Sequence, residues 1–231
     1  MNTFYGGDYY QDKSKLFQSQ LNRTYGIMAL GLSLTFVCAI LTAWLAPFVI
    51  LSFPLAMILL IAQVITVVAF SSAVHRARFQ TVMTMFVVYS ILTGVSISYI
   101  FLLYDMRNII LCFAATALCF AILAILGHNT RRDLSGLGRF FLVGLIGVLI
   151  LSLVSFFLGS TILEIAVACI GLVLFLGITA YDTQRLRRFA EQYPEGDEMS
   201  RKISVYFAMQ LYLDFINIFL YIIRLFGRQR R

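Results

Sequence analysis

Seven long apolar stretches divide this chain, covering about 25–45, 50–74, 81–104, 108–127, 138–158, 161–185 and 203–227. Each is about as long as the 20 or so residues that an α-helix needs to cross a bilayer. Lipid excludes open strands, because their backbone groups would be left without hydrogen bonds. The sequence therefore predicts an all-α polytopic membrane protein with seven transmembrane helices over residues 25–227. A polar N-terminal tail (1–24) and a short basic C-terminal tail (228–231) flank this domain.

The composition excludes a soluble globular domain. Hydrophobic residues make up 61 % of the chain and charged residues only 13 %, too few to cover a water-exposed surface. The net charge of +7 does not indicate nucleic-acid binding, because the basic residues lie in short loops between apolar spans. The longer connection from Arg187 to Lys202 is expected to be an exposed loop.

The distribution of Lys and Arg predicts the orientation of the chain. Thirteen lie on the side of the N-terminal tail and five on the opposite side, which places the N-terminus in the cytoplasm. Four of those five arginines are near the C-terminus. With seven full spans the C-terminus is outside and its arginines violate the rule; alternatively, the last segment enters the membrane and returns to the inner face.

Two acidic residues, Asp182 and Asp214, lie within apolar spans or at their inner ends. An ionised Asp at such a depth costs at least a few kcal/mol, so these groups are expected to face the interior of the bundle and to find partners. Asp214 belongs to a polar stripe on the seventh span with spacings of 4, 3, 4 and 3, which places it on one helix face. The stripe consists of Gln210, Asp214, Asn217, Tyr221 and Arg224. It either joins the seventh helix to its neighbours or lines a functional path.

Asp182 and Asp214 can both lie in the cytoplasmic half of the membrane, where they can meet. Two carboxylates in one site of low dielectric constant cannot both ionise comfortably, so the pair is expected to hold a proton near physiological pH. When deprotonated, the same oxygens suit Ca²⁺. Asp182 could instead pair locally with Arg185. Arg76 or Arg78, after the second span, is either a counter-charge for the acids or an ordinary topology signal.

Enzymatic and metal-binding functions have little support in the sequence. The four cysteines, Cys38, Cys112, Cys119 and Cys169, fall inside apolar spans without metal-site spacing, and are expected to be packing residues. Tyr181-Asp182 matches the YD of intramembrane aspartyl proteases, but the second motif, LYLD, lacks the glycines that this class needs. No nucleotide loop or catalytic triad is present. We expect neither an enzyme nor a resident cofactor, and we expect close helix packing at Ser90, Gly94 and Ser98.

Four segments resemble the Bax inhibitor family, particularly its bacterial members. They are RTYGIMALGLSLT (23–35), TRRDLSGLG (130–138), GITAYDTQRL (177–186) and LYLDFINIFLYIIRLFG (211–227). The resemblance implies seven helices with the C-terminal helix at the centre, and a di-aspartyl pH sensor at Asp182 and Asp214. It also implies a latching arginine, with Arg76 the nearest position and Arg78 the second. Gln63 stands about where some relatives carry an acid, which argues against a strong calcium preference.

The activity that this resemblance implies is a pH-sensitive calcium leak across the membrane. The switch is expected at about pH 6–8, because desolvation and repulsion would raise the pKa of one carboxyl group by about 2–4 units. The alternative is a regulatory membrane protein that conducts nothing and modulates a membrane protease or a stress response. The expected partners are the lipid bilayer, protons, calcium ions and, in the second case, a membrane protease. The expected location is the bacterial inner membrane.

Overall fold

A computed structural model describes residues 4–46, 52–130, 133–192 and 198–228. Within these ranges the chain forms eight helices. They are α1 (Phe4–Leu45), α2 (Phe53–Arg76), α3 (Phe79–Ile97), α4 (Ile100–Leu103), α5 (Met106–Asn129), α6 (Leu137–Leu158), α7 (Thr161–Gln192) and α8 (Glu198–Phe226).

Seven segments of the described chain are long and apolar enough to cross a membrane, which confirms the predicted number. They are Gln18–Leu45, Pro54–Arg76, Phe79–Leu103, Met106–Asn129, Leu137–Leu158, Thr161–Ala190 and Glu198–Phe226. The third span consists of α3 and α4. The sixth span lies in α7, and the seventh span is α8. The protein is therefore an all-α polytopic membrane protein.

Two expected boundaries differ from the observed helices. The N-terminal tail is not separated from the first span, because α1 is continuous from Phe4 to Leu45. The expected exposed loop from Arg187 to Lys202 is wrong for most of its length: α7 continues to Gln192, α8 begins at Glu198, and Ser200 is buried. A helix of 32 residues is about 48 Å long, well beyond a hydrocarbon core of about 30 Å, so its charged end remains helical outside the apolar layer.

The chain divides into two compact units. The first comprises the described residues up to Tyr99 together with Leu186–Tyr212. In this unit α1 and α3 approach closely, because a Cβ atom at Gly94 would lie 2.6 Å from the carbonyl oxygen of Thr35. Ser90 and Ser98, on the same side of the third span, are fully buried. Small residues therefore permit this helix contact, as the sequence predicted.

The second unit runs from Ile100 to Arg185 and continues from Leu213 onward. Its α5 packs closely on α7, since a Cβ atom at Gly127 would lie 2.5 Å from the carbonyl oxygen of Ala180. The rings of Phe113 and Phe120 pack on Phe215 of α8, with centroids 5.2 and 5.7 Å away. These contacts hold the α7 segment before Arg185 and the second half of α8 in one core.

The last helix is the most buried of the seven spans. In its apolar window 67 % of the residues are buried, against 11–39 % in the other spans. This burial agrees with the central position that was expected for the C-terminal helix. Each unit contains part of α8: its residues up to Tyr212 belong to the first unit, and its residues from Leu213 belong to the second.

Candidate functional site

The segment GITAYDTQRL lies on α7 and brings three oxygen-bearing side chains to neighbouring positions. Thr179, Asp182 and Thr183 are separated by three and one residues, so they lie within about 100° of one another around the helix. All three are buried, with Asp182 only 6 % exposed. The sequence expectation that Asp182 turns away from lipid agrees with this burial.

Asp214 meets this group from α8, within the same unit. Its side chain is 3 % exposed, and its carboxyl group interacts electrostatically with that of Asp182. Thr179 forms a side-chain hydrogen bond with Asp214. The fold therefore brings together the two acids that the sequence singled out. It adds Thr179, which sequence reasoning missed, although its position one helical turn before Asp182 was a usable signal.

Two oxygens of this cluster lack hydrogen-bond partners within the described residues. They are Oδ2 of Asp214 and Oγ1 of Thr183, and both are fully inaccessible. A buried polar group without a partner costs about 1–3 kcal/mol, and a charged one costs more. Asp214 and Thr183 therefore each carry a buried oxygen that no hydrogen bond of the described residues uses.

Arg185 is the charged group that interacts with Asp182. It lies one turn further along α7 and is half-buried. The local Asp182–Arg185 pair was the alternative interpretation of Asp182, and the structure contains this interaction together with the contact to Asp214. Since Arg185 is the more exposed of the two, water screens part of its attraction.

Gln184 connects α7 to the loop that precedes α6. Its side-chain oxygen, Oε1, accepts a hydrogen bond of 2.9 Å from the backbone N–H of Leu134. A Cβ atom at Gly138 would lie 2.8 Å from the hydroxyl oxygen of Tyr181, so the first turn of α6 and α7 are also in close contact. Two segments that carry the family resemblance therefore pack on each other in their described parts. They are TRRDLSGLG and GITAYDTQRL.

A pocket of about 320 Å³ opens beside this contact. Its lining residues come from the end of α5, the following loop and α7, and they are Leu126, Gly127, Asn129, Thr130, Leu134 and Ala180. Ala180 lies two residues before Asp182 on α7. The pocket therefore reaches the helix segment that carries the candidate site.

The polar stripe of the last helix is not uniformly buried. Asp214 is its one fully buried member, while Gln210, Asn217 and Tyr221 are half-buried and Arg224 is exposed. Asn217 donates to the carbonyl of Leu213 at 2.8 Å, and Gln210 donates to the hydroxyl of Tyr206 at 3.0 Å. Arg224 pairs with Glu164 at 3.5 Å. The stripe thus consists of several local contacts, and only Asp214 joins the acidic cluster.

The two latch candidates flank the turn between α2 and α3. Arg76 ends α2, Arg78 caps α3, and both side chains are exposed. The turn is held by α8: Lys202 donates to the carbonyl of Ala77 at 3.2 Å, and Glu198 accepts from the N–H of Phe79 at 3.1 Å. These contacts lie in the first unit, and the latch itself stays a prediction.

Gln63 lies on α2 and is half-buried. Its amide nitrogen donates to the hydroxyl of Ser96 and, at 3.4 Å, to the carbonyl of Leu92, both on α3. Gln63 therefore has a helix-joining role at the position where some relatives were expected to carry an acid.

Sequence reasoning missed a buried hydroxyl cluster around Tyr212 in the first unit. The hydroxyl of Thr35 donates to the carbonyl of Ser90 at 2.9 Å and lies 2.6 Å from the Tyr212 hydroxyl. Because the Thr35 hydrogen is already used, Tyr212 is the donor of the second bond. The rings of Phe86 and Tyr89 contact Tyr212 edge-on. Two features of the sequence could have indicated this cluster. Tyr212 lies two residues before Asp214, and the first and third spans carry small polar residues.

The described residues contain no cluster of three or more His, Cys, Asp or Glu side chains that could hold a metal ion. The four cysteines are free; Cys112 is buried, Cys38 and Cys119 are half-buried, and Cys169 is exposed. Any cation at the acidic cluster would therefore depend on two carboxylates and on neutral oxygens.

Comparison with known proteins assigns this helical membrane protein to a family. Residues 17–231 match the model of the family described as "Inhibitor of apoptosis-promoting Bax1". The chain belongs to the Bax inhibitor family, as the sequence motifs predicted.

Several bacterial relatives are similar over about three quarters of the chain or more. The inner membrane protein YbhL of Escherichia coli K12 is 39 % identical over 217 residues, which cover 92 % of this chain and 93 % of YbhL. An uncharacterized protein of Rickettsia prowazekii is 40 % identical over 225 residues, or 94 % of each chain. An uncharacterized membrane protein of Streptococcus pyogenes is 33 % identical over 73 % of this chain and 72 % of its own length.

Proposed function

We propose that this protein is a pH-sensitive calcium leak channel or transporter, gated by a proton and calcium site at Asp182 and Asp214. The observation that carries the proposal is the electrostatic interaction between these two buried carboxyl groups. A pair of acids in an apolar surrounding is costly in lipid and usually marks an ion path or a proton relay. The presence of such a pair in this protein therefore favours a role in ion or proton handling over simple helix packing.

Burial and mutual repulsion both support a shared proton on the pair. Asp182 and Asp214 are buried, and an ionised carboxyl group loses its hydration in such a place. Two neighbouring carboxyl groups also repel when both are ionised, so a single proton held by the pair removes this cost.

The same oxygens suit a weakly held calcium ion. Ca²⁺ takes about 6–8 oxygen ligands, and two carboxylates supply at most about four. Such a site is too poor to store calcium, but conduction requires an ion to leave as readily as it enters. The site therefore fits a leak better than a calcium buffer.

Protons and calcium ions compete for the Asp182–Asp214 pair, so the ion that occupies the pair should change with pH. Acidification adds protons to the pair, displaces the cation and weakens any attraction to Arg76 or Arg78. A rise in pH exposes the second charge, strengthens that attraction and favours cation binding. We place the protein in the bacterial inner membrane with its N-terminus in the cytoplasm, on the distribution of basic residues and the name of the YbhL relative.

The test is calcium flux into liposomes that contain the purified full chain, measured across pH. Asp182→Asn and Asp214→Asn are each expected to flatten the pH profile, because an amide cannot share the proton. Asp105→Asn is the matched control, since Asp105 is exposed and stands at the N-cap position of α5, which Asn and Asp favour equally. The control is expected to retain the wild-type profile.

Two results would count against the proposal. An unchanged profile in both aspartate variants would reduce the pair to structural support. A wild-type protein that binds calcium and protons but conducts nothing would instead fit the regulatory alternative, in which the protein modulates a membrane protease or a stress response.

A further inference from the structure

Thr183 differs from the other buried threonines of this protein. Thr24, Thr93, Thr116 and Thr179 each donate a hydrogen bond of 2.8–3.0 Å to the backbone carbonyl four residues earlier. This bond satisfies a hydroxyl group inside an apolar helix bundle without any partner from another helix. Thr183 is 1 % exposed and has the same helical setting, yet its hydroxyl makes no such bond and has no other partner in the described chain.

A hydroxyl that is buried without a partner destabilises the protein, whereas valine has nearly the same shape and no polar group. Burial alone therefore gives no reason for a hydroxyl at this position. The close approach of α5 at Gly127, where an added Cβ would lie 3.1 Å from the Thr183 Cβ, requires a small residue on α5 and sets no requirement for the hydroxyl. The hydroxyl thus calls for a ligand.

The surroundings of Thr183 indicate what this ligand would be. Thr183 follows Asp182 directly, and Asp182 interacts with Asp214, whose Oδ2 is the other partnerless oxygen of the cluster. Carboxylate and hydroxyl oxygens are the kind of ligand that a hard divalent cation prefers, and both kinds stand at successive positions of α7 here. Arg185 is the cation that already interacts with Asp182, from the half-exposed side of α7.

We propose that the Thr183 hydroxyl is a ligand of the divalent cation bound by Asp182 and Asp214, an inference that rests on the proposed function. It adds a neutral oxygen to a site that is short of ligands. Neutral oxygens also leave the charge of the site unchanged. Thr183 therefore sets how tightly the cation is held without altering the number of protons that the pair can take up.

The test compares calcium binding by wild type, Thr183→Val, Thr183→Ser and Thr116→Val in lipid nanodiscs, from the calcium-dependent shift of the melting temperature. Thr183→Val is expected to bind calcium about tenfold more weakly, while its calcium-free melting temperature is unchanged or higher. Thr183→Ser keeps the hydroxyl and is expected to bind like wild type. Thr116→Val removes a hydroxyl that is satisfied within α5, and is expected to leave calcium binding unchanged.

Each remaining outcome overturns a defined statement. Wild-type calcium binding in Thr183→Val would overturn the assignment of Thr183 alone and leave the Asp182–Asp214 site in place. A lower calcium-free melting temperature in Thr183→Val, with calcium affinity unchanged, would assign the hydroxyl a structural role. A wild-type protein without a calcium response would overturn the proposed function and this inference together.

Discussion

The backbone N–H of Leu134 donates to Oε1 of Gln184 at 2.9 Å, so the loop before α6 is attached to the helix that carries Asp182. Gln184 is buried, and it lies two residues after Asp182. The loop is therefore attached to α7 at a point close to the acidic pair.

Gln184→Leu is expected to destabilise the protein by about 1–3 kcal/mol, because the N–H of Leu134 loses its acceptor in a partly buried position. The loop should also become more susceptible to proteases in mild detergent. Gln184→Glu retains an acceptor oxygen and serves as the control at acidic pH, where the new carboxyl group is protonated and adds no charge. Equal protease resistance in wild type and Gln184→Leu would show that the loop is held by its other contacts.

The calcium affinity of the protein should depend on pH in a defined direction. Calcium binding to the pair displaces its shared proton, so the affinity should fall by up to about tenfold for each pH unit below neutrality. Above the pH at which the pair is fully deprotonated, the affinity should become constant. Calorimetry at several pH values is the measurement. In Asp214→Asn the affinity should be low and the slope shallow; a wild-type slope in this variant would contradict the shared proton.

Gly94→Ala should destabilise the contact between α1 and α3 by about 1–3 kcal/mol, since the new methyl group meets the backbone of Thr35 and cannot be accommodated by a side-chain rotation. Gly26→Ala, on α1, is the matched control because its added methyl group meets no atom within 4 Å. There the gain in helix propensity should raise stability slightly. Thermal unfolding in detergent compares the two, and equal stabilities would contradict the close approach.

Tyr212→Phe should cost about 0.5–2 kcal/mol, because it removes a hydrogen bond between helices while the Thr35 hydroxyl keeps its bond to the Ser90 carbonyl. The pH dependence of calcium binding should be unchanged, since the acids belong to the other unit. Unfolding and calcium titration of the same variant measure both quantities. A shifted pH profile would assign Tyr212 to the ion path.

The orientation of the chain can be tested with reporter fusions. A reporter joined to the N-terminus of the full chain, and a second one inserted in the connection between α7 and α8, should both be active in the cytoplasm, because the basic residues accumulate on that side. A fusion after Arg231 distinguishes a full seventh span, with its reporter outside, from a segment that returns to the inner face. Activity of either of the first two reporters outside would reverse the orientation.

The sequence was sufficient for the number of spans and for the choice of Asp182 and Asp214, because hydropathy and the high cost of a charge in lipid are local properties. It was misleading at the two ends of the stretch from Arg187 to Lys202, where charged residues suggested a loop although α7 continues to Gln192 and α8 begins at Glu198.

Other features could not be read from the chain at all. Thr179 and Thr183 occupy equivalent places in a helical pattern, yet one hydroxyl is satisfied and the other is not. The bond between Gln184 and Leu134 joins positions 50 residues apart, and it depends on how α7 meets the preceding loop. Such differences arise from tertiary packing, which periodicity does not encode.

The sharing of α8 between the two units has a consequence for biosynthesis. A chain leaves the ribosome from its N-terminus, and the first six spans emerge before Tyr212 and Phe215 do. Until then each unit lacks buried aromatic side chains that complete its core: Tyr212 in one and Phe215 in the other. Both units must therefore wait for the same final segment, and a prematurely terminated chain would expose two incomplete cores to membrane quality control.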